Sequence, residues 1–304
     1  MTGATGQLGH DLVAAMSGQV PVGGLRGDSR TGWLGERPPV DVVGASHRML
    51  DVTNRTDVLE TLSTLRPELV VHAAAFTAVD RCEDEPDSAF AVNALGTRHV
   101  AEAARLYGAR LVVVSTDYVF SGTATRPYSE WDPTGPLQVY GRSKLAAESE
   151  AGPYATVVRT SWTSGAHGSN MVKTLVGLCT QKPARQMRFV DDQRGRPTFT
   201  ADLAGAILSL ADSGRPGLFH VTNDGEASWF DLARAVAERC GEDPERVEPV
   251  KTAELHPPRR AERPAYSVLD NAAMRLSGMA MLPHWSDGLD RLTEVLLDRA
   301  RAAT

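Results

Sequence analysis

Short runs of hydrophobic, often β-branched residues alternate with helical patterns along the first half of the chain. The runs cover residues 40–45, 69–75, 110–116 and 155–160. They are nearly continuous rather than alternating with polar residues, which is typical of strands covered on both faces. Residues 87–108 carry apolar side chains at helical spacing and end on a glycine suited to a C-terminal cap. This order of elements predicts an α/β fold with a doubly wound parallel sheet.

The second half of the chain has a looser pattern, which predicts a smaller C-terminal α/β lobe. We expect strands at residues 188–193 and 217–223, and a capped helix at residues 228–241. Residues 251–270 form a long segment rich in proline and arginine, and long segments without regular structure are often binding loops.

A glycine array opens the chain, with Gly3, Gly6 and Gly9 at intervals of three before a helical pattern. Glycines let the backbone approach a pyrophosphate that rests on amides at the helix N-terminus, as in a Rossmann-type sheet. The array alone fits a turn without a ligand equally well. It normally follows a buried strand, but only Met1 and Thr2 precede it. We therefore expect the first strand to be missing and the natural chain to begin upstream.

These patterns predict two domains. Residues 1–160 form a dinucleotide-binding domain, and residues 161–304 form mainly a substrate-binding lobe. We expect residues 187–225 to return partly to the first domain.

Composition narrows the class of protein. The net charge of −6 does not suggest a nucleic-acid partner, and no apolar run is long enough to predict a membrane span. The three cysteines have no metal-like spacing, which is typical of reduced thiols in a cytoplasmic protein.

The residues after the second strand bear on the choice of cofactor. An acidic residue there would bind a ribose 2′-hydroxyl, whereas a cation suits a 2′-phosphate. Arg26 or Arg48 follows, depending on which run is the second strand, and neither option places an acid there. This favours NADPH, with NADH as the alternative, although each arginine taken alone fits a solvated side chain. Asp51 fits either an adenine contact or a helix N-cap.

Two strands end in residues suited to a ligand site. Ala73, Ala74 and Ala75 would let a cofactor ribose lie against the backbone, although they also fit tight strand–helix packing. The next strand ends with Thr116 and Asp117. Because ligands bind at the carboxyl ends of parallel strands, these residues predict a cleft.

Tyr140 and Lys144 are four residues apart in a helical pattern and would share one helix face. A nearby ammonium would lower the pKa of the phenol, whose ordinary value is near 10, and make it a better acid at neutral pH. Such an acid can protonate a carbonyl oxygen as a hydride arrives, with Thr116 donating to the same oxygen. The pair by itself also fits an ordinary surface helix.

The motifs together resemble those of the extended short-chain dehydrogenase/reductases, and within them the dTDP-4-dehydrorhamnose reductase family. They are, in order, the glycine array, HAAAFTAVDRCEDEP, STDYVFSG, VYGRSKLAAE, VRTSW, DDQRGRPT, FHVTN and RPAYSVLDN, and they cover nearly the whole chain. The resemblance implies NADPH-dependent reduction of the C4 ketone of a dTDP-linked 4-keto-6-deoxyhexose, such as dTDP-4-dehydro-L-rhamnose. It also implies a monomer or a homodimer.

The resemblance assigns roles to particular residues. Catalysis falls to Thr116, Tyr140 and Lys144, and the substrate to Thr116, Asp117 and Trp162. The implied cofactor contacts are Gly3, Gly6, Gln7, Leu8, Asp51, Val52, Ala73, Ala74, Ala75, Tyr140 and Lys144. Looser candidates for the diphosphate and base are Asn170, Arg194 and Arg263. Some family members hold Mg²⁺, and Asp11 stands at one such position, but no full ligand set is identifiable, so no metal residue is predicted.

The chain also departs from the family pattern. Thr116 replaces the serine that is usual in the wider superfamily, residues 19–39 form a longer segment than usual, and Thr163 and Ser164 alter the stretch after Trp162. The sugar pocket could therefore suit a neighbouring antibiotic sugar, for example of the dihydrostreptose type.

Other functions fit parts of the sequence less well than reduction does. A sugar-nucleotide epimerase is one alternative. A dehydratase would carry an acidic pair after the triad hydroxyl, where only Asp117 stands, and the intact triad disfavours a non-enzymatic cofactor sensor.

Overall fold

The computed structural model describes residues 1–24, 40–181 and 186–302 of the chain. The helices of this part are α1 (Gln7–Met16), α2 (Arg55–Leu65), α3 (Val79–Asp84), α4 (Pro86–Phe90), α5 (Gly96–Tyr107), α6 (Val139–Ala151), α7 (Met171–Thr180), α8 (Thr200–Ser213), α9 (Trp229–Arg239), α10 (Ala272–Leu276) and α11 (Trp285–Ala302). Its strands are β1 (Leu69–His72), β2 (Arg110–Thr116), β3 (Thr156–Thr160), β4 (Thr163–Ser164), β5 (Met187–Val190), β6 (Arg194–Gly195), β7 (Thr198–Phe199), β8 (Gly217–His220), β9 (Ala227–Ser228) and β10 (Val247–Val250). Short helical segments lie at Ala91–Leu95, Asp117–Val119, Pro244–Arg246 and Thr252–Glu254.

The main sheet is parallel and has the strand order β1-β2-β3-β8. The predicted strands at 69–75, 110–116 and 155–160 correspond to β1, β2 and β3, and β2 has the predicted bounds. Helices between the strands pack against both faces. The fold class is therefore the predicted doubly wound α/β class.

The start of the chain lies at the edge of this sheet. Thr2 forms parallel bridges with both Ala45 and His72, and the Thr2 amide donates to the Val71 carbonyl at 3.0 Å. The predicted strand at residues 40–45 is wrong in extent, because only Ala45 takes part in a bridge. The rest of the segment makes isolated contacts instead of a strand ladder: the Val40 amide donates to the Met16 carbonyl at 3.4 Å, and the Met1 amino group donates to the Val43 carbonyl at 2.7 Å.

The predicted helix at residues 87–108 is divided into three pieces. A π-helical segment, Ala91–Leu95, separates α4 from α5. The predicted cap is confirmed, since Gly108 ends α5 in the left-handed conformation with φ of 72°.

The C-terminal half contains small two-stranded sheets and one strand that returns to the main sheet. The strand predicted at residues 217–223 is β8, which pairs with β3. The strand predicted at 188–193 begins and ends earlier, as β5, and pairs with β10. Helix α9 has the predicted N-terminal cap, in which Ser228 and Asp231 form a capping box.

The three largest hydrophobic clusters of the described residues pack the helices against the strands. One contains α1 and α8 on one face of the main sheet, and a second contains α2 and α5 on the other face. The third joins α7, α9 and α11 in the C-terminal half. Each fully buried leucine, such as Leu12 or Leu232, contributes about 1.5–3 kcal/mol by leaving water. Among the described residues, no helix is both long and apolar enough to cross a membrane.

Candidate active site

A cleft of about 1040 Å³ opens at the carboxyl ends of the main-sheet strands. Every residue predicted for catalysis, cofactor or substrate lines it: Gly3, Gly6, Gln7, Leu8, Asp51, Val52, Ala73, Ala74, Ala75, Thr116, Asp117, Tyr140, Lys144 and Trp162. The looser candidates Asn170, Arg194 and Arg263 are not among the lining residues. The structure thus brings together segments that lie more than 150 positions apart in the chain.

The glycine array forms a tight turn at one end of the cleft. Gly3 has φ of +72°, and a Cβ atom there would lie 2.7 Å from the Ala74 nitrogen. A Cβ atom on Gly9 would lie 2.2 Å from the Gly3 carbonyl oxygen. Gly6 caps α1 without a side-chain hydrogen bond, and the first turn has no acidic residue. The free amides and the helix dipole suit an anionic group at this point.

Gln7 and Asn170 connect this turn to the segment after β3. The side-chain amide of Gln7 donates to the backbone carbonyl of Thr163 at 3.2 Å and to the Thr163 hydroxyl at 3.1 Å. Asn170 donates to the Gln7 side-chain oxygen at 3.3 Å, and it also caps α7. Asn170, one of the loose diphosphate candidates, therefore already has a structural role.

Asp51 and Val52 lie at the end of the cleft that was predicted to bind adenine. The Asp51 carboxylate accepts from the Thr53 amide at 2.9 Å and from its hydroxyl at 2.8 Å, and these bonds hold the pKa of Asp51 below its ordinary value. Asn54, rather than Asp51, caps α2. Of the two interpretations of Asp51, the cap is therefore excluded.

Thr116 and Asp117 stand where β2 ends. The Thr116 hydroxyl donates to Asp117 at 3.0 Å, accepts from the Tyr118 amide at 3.2 Å, and interacts with the Tyr140 phenol. Asp117 also accepts from the Ser267 hydroxyl at 2.5 Å. Burial raises the pKa of Asp117 to about 7. Asp117 thereby links the end of β2 to the segment that contains Ser267.

Tyr140 and Lys144 share one face of α6, as predicted, but their electrostatics differ from the prediction. Lys144 donates to the Val114 carbonyl at 2.7 Å, and burial lowers its pKa to about 8. Desolvation raises the pKa of Tyr140 above its ordinary value, against a smaller lowering by Thr116. The predicted lowering of the Tyr140 pKa is thus wrong for the protein alone, because desolvation outweighs any favourable charge. The phenol is protonated at neutral pH, which is the state that a proton donor requires.

A buried ion pair supports α6 one turn beyond Lys144. Glu148 accepts from Arg159 at 2.7 and 2.8 Å and from the Ser115 hydroxyl at 2.5 Å. Its charge raises the pKa of Lys144, opposing the larger effect of burial. The sequence reasoning missed this pair, although Glu148 is part of the VYGRSKLAAE motif.

Two further residues of the site were missed. The Tyr118 ring lies edge-on to the Tyr140 ring, with centroids 6.0 Å apart, and it lines the cleft. Asn93, in the π-helical segment, accepts from the Phe76 amide at 2.7 Å and donates to Ser143 of α6 at 2.8 Å. Such π segments occur frequently at functional sites. Tyr118 was visible in the STDYVF motif, whereas Asn93 had no distinguishing signal.

Trp162 lies beside a second tryptophan that the sequence did not single out. The Trp162 and Trp229 rings stack with centroids 3.6 Å apart and planes 5° apart, and both residues line the cleft. Trp229 is distant in sequence, and only the fold brings it to this place.

The arginine candidates for the diphosphate have other partners. Arg194 pairs with Glu226 at 2.8 Å, and Arg263 pairs with Asp80 at 2.5 Å. Arg48 is exposed and is not among the cleft residues, whereas its neighbour His47 is. Arg26 lies outside the described residues.

Asp11, considered for a metal, is buried and accepts from the Thr200 hydroxyl at 2.5 Å. Within the described ranges, no group of three His, Cys, Asp or Glu side chains could hold a metal ion.

Comparisons with known proteins identify the family of the chain. Residues 1–297 match the family described as RmlD substrate binding domain. A dTDP-4-dehydrorhamnose reductase of Streptomyces griseus is 40% identical, over 99% of this chain and 94% of that protein. A dTDP-4-keto-6-deoxy-D-glucose reductase of Streptomyces niveus is 38% identical, over 97% of this chain and 96% of that protein. The crystal structure of a dTDP-4-dehydrorhamnose reductase from Bacillus anthracis in complex with NADP has a TM-score of 0.84 and 36% identity, covering 96% of each chain.

Proposed function

The chain belongs to the RmlD substrate binding domain family, and from that premise we propose that it is an NADPH-dependent reductase of a dTDP-4-keto-6-deoxyhexose. The substrate is dTDP-4-dehydro-L-rhamnose, and the product of C4 reduction is dTDP-L-rhamnose. One observation carries the proposal: Thr116, Tyr140 and Lys144 line the same cleft as the glycine turn. A hydroxyl, a protonated phenol and an ammonium beside a pyrophosphate turn are the groups that carbonyl reduction needs.

The glycine turn fits a dinucleotide. A side chain at Gly3 or Gly9 would strike backbone atoms, so the turn stays narrow and the α1 amides stay accessible. The cleft volume of about 1040 Å³ lies at the top of the range of about 300–1,000 Å³ usual for ligand pockets, and the lining extends from the glycine turn to Trp162 and Trp229. This extent suits a dinucleotide and a sugar nucleotide side by side. NADPH is the proposed cofactor, in agreement with the NADP in the Bacillus anthracis structure.

The two ligands occupy different parts of the cleft in this proposal. The pyrophosphate lies at Gly6, Gln7 and Leu8, and the adenosine end lies near Asp51 and Val52. Ala73, Ala74 and Ala75 border the ribose. Asp117 and Trp162 lie on the side that receives the sugar nucleotide.

NADPH, when bound, supplies the hydride that reduces C4 of the sugar. Tyr140 donates its phenolic proton to the C4 oxygen as negative charge develops there. Thr116 redirects its single hydroxyl proton from Asp117 to the same oxygen and holds that oxygen within reach of Tyr140. Lys144 stabilises the phenolate that remains after the proton has moved. Asn93 and Glu148 hold α6, and so both catalytic side chains, against the sheet.

A second candidate is the same reaction on a neighbouring dTDP-4-keto-6-deoxyhexose. Thr163 and Ser164 alter the segment after Trp162, and the Streptomyces niveus relative is named for a 4-keto-6-deoxy-D-glucose substrate. Both candidates share the C4 chemistry and differ in the configuration of the sugar.

The test is to incubate the purified protein with dTDP-4-dehydro-L-rhamnose and NADPH or NADH, and to determine the configuration of the product at C4. We expect stoichiometric NADPH consumption and dTDP-L-rhamnose. An epimerase would return its hydride, so a changed sugar without net NADPH consumption would refute reduction. Faster turnover of dTDP-4-keto-6-deoxy-D-glucose than of dTDP-4-dehydro-L-rhamnose would instead favour the second candidate.

Tyr140→Phe provides the test of the proton donor. Removal of a general acid lowers kcat by about 10²–10⁴-fold, whereas the KM for the sugar nucleotide changes little. Tyr154→Phe is the matched control and keeps wild-type kcat, since Tyr154 is 84% exposed and lies outside the cleft. A Tyr140→Phe enzyme with near wild-type kcat would exclude Tyr140 as the donor.

A further inference from the structure

Trp162 has an unusual backbone conformation at the edge of the cleft. Its φ is +45°, and in the described part of the chain only Arg66 is another non-glycine residue with positive φ. This conformation is disfavoured for residues with a Cβ atom, so the surroundings must hold it. Trp162 lies between β3 and β4 and lines the cleft, where such strain usually serves function.

Trp229 stacks on the Trp162 ring, and the N-terminal cap of α9 fixes the position of Trp229. It is the first residue of α9 and follows Ser228, whose capping box with Asp231 begins the helix. The two indoles are nearly parallel, with centroids 3.6 Å apart. Aromatic pairs in close contact stabilise each other beyond the burial of their surface.

Gly195 leaves the space that the Trp162 indole occupies. A Cβ atom on Gly195 would lie 2.5–2.9 Å from three atoms of that ring. Gly195 pairs with Ala227 in the β6–β9 ladder, two residues before Trp229. The β6–β9 ladder therefore leaves space for the Trp162 indole at Gly195 and leads directly into Trp229, whose ring stacks on that indole.

We propose that Trp229 is a positioning residue that holds the Trp162 indole in the orientation required to bind the sugar nucleotide. The inference rests on the proposed function, in which Trp162 lies on the substrate side of the cleft. Trp229 then acts through Trp162 and is not needed for the cofactor. It adds a determinant of substrate affinity on α9, outside the catalytic helix α6.

The test compares Trp229→Ala, Trp229→Phe and Gly195→Ala with the wild type. We expect Trp229→Ala to raise the KM for the sugar nucleotide about tenfold, a size consistent with loss of one aromatic stack, while kcat and the KM for NADPH stay within about twofold. Trp229→Phe keeps a ring for stacking and should recover most of this loss. Gly195→Ala keeps Trp229 but fills the indole's space, so it should raise the same KM.

Far-ultraviolet circular dichroism, measured in the strong absorption band of indole, reports the stack without turnover. Two indoles this close give a coupled exciton signal, which should disappear in both Trp229 variants and change in Gly195→Ala. Trp131→Phe is the control, because Trp131 is 69% exposed and lies outside the cleft, and it should leave the coupled signal and every kinetic constant unchanged.

A double-mutant cycle separates positioning from direct contact. If Trp229 acts through Trp162, Trp229→Ala should have little further effect on the KM in a Trp162→Ala background. An equal effect in both backgrounds would overturn the inference, as would a rise in the KM for NADPH of the same size. A wild-type enzyme that turns over the sugar nucleotide while Trp229→Ala leaves its KM unchanged refutes the positioning role alone. A wild-type enzyme without turnover refutes the proposed function, and the inference falls with it.

Discussion

At the scale of single residues, burial governs the ionisation of the groups around the cleft. It raises the pKa values of Tyr140 and Asp117 and lowers that of Lys144. In each case the neutral form is favoured, because a charge loses its hydration inside the protein. Tyr140 therefore keeps its proton, and Lys144 is the group in the catalytic set that titrates closest to working pH.

The pH dependence of the reaction should follow Lys144. Its pKa of about 8, lowered from 10.5, means that the ammonium is lost as pH rises through about 8. We therefore expect kcat/KM for NADPH, which reports the free enzyme, to fall above about pH 8. Initial rates at limiting NADPH measure this profile.

A matched variant tests the assignment of that profile to Lys144. Lys144→Arg retains a positive charge at all accessible pH values, so its lower activity should show no fall near pH 8. A wild-type profile that stays level until the ordinary lysine value of 10.5 would contradict the assignment.

At the scale of elements, the backbone conformation at each glycine decides what a side chain would do. Gly108 ends α5 with φ of 72°, whereas Gly177 lies inside α7. A Cβ atom at either position would have no heavy atom within 4 Å apart from its own residue, its chain neighbours and the backbone of its own helix. The two glycines thus differ in backbone conformation and not in available space.

The same substitution should have opposite effects at these two positions. Gly108→Ala places a Cβ atom in a left-handed conformation and should lower the free energy of unfolding by about 1–2 kcal/mol. Gly177→Ala removes chain entropy from the unfolded state and should raise it by about 0.5–1 kcal/mol. Urea unfolding with an unchanged m value measures both. Shifts of the same sign would show that local packing, rather than backbone conformation, controls these sites.

At the scale of the whole molecule, buried polar contacts join segments that are far apart in the chain. Asp11 of α1 accepts from Thr200 of α8, and Asp202 pairs with Arg291 of α11 at 2.6 Å. The first contact joins α1, the helix after the glycine turn, to α8, and the second joins α8 to α11. They come with a cost, because burial raises the pKa of Asp11 from 3.8 to about 6.

Neutralising Asp11 should therefore stabilise the protein at neutral pH. A carboxyl whose pKa is raised on folding favours the folded state only while it is protonated, so wild-type stability falls as pH rises from about 4 through 6. Above that range the buried charge costs up to about 3 kcal/mol, at about 1.4 kcal/mol per pKa unit. Asp11→Asn keeps an acceptor for Thr200 and removes the charge. The free energy of unfolding of Asp11→Asn should exceed that of the wild type only slightly at pH 4, and by up to about 3 kcal/mol at pH 8.

Asp41→Asn is the control for this measurement, because Asp41 is exposed and its substitution should change stability little at either pH. An Asp11→Asn variant that is less stable than wild type at pH 8 would show that the Thr200 bond needs the charged oxygen.

The amino-acid sequence alone determined the fold class and several members of the cleft. Parallel strands bring their carboxyl ends to one edge, so residues at strand ends, such as Ala73 and Thr116, could be assigned to one site from local patterns. The spacing of Tyr140 and Lys144 placed both on one helix face in the same way. These features follow from periodicity and from the positions of glycines, which are local properties of the chain.

The tertiary structure alone decided the chemical state of the site and the partners of its side chains. Burial decides the direction in which the Tyr140 pKa shifts, the Trp162–Trp229 stack joins residues 67 positions apart, and Arg263 is held by Asp80 from a distant helix. Asn93, in the π segment that divides residues 87–108, contacts Phe76 and Ser143, which lie far from it in the chain. Desolvation and long-range contacts depend on which residues are neighbours in space, and no local pattern encodes that.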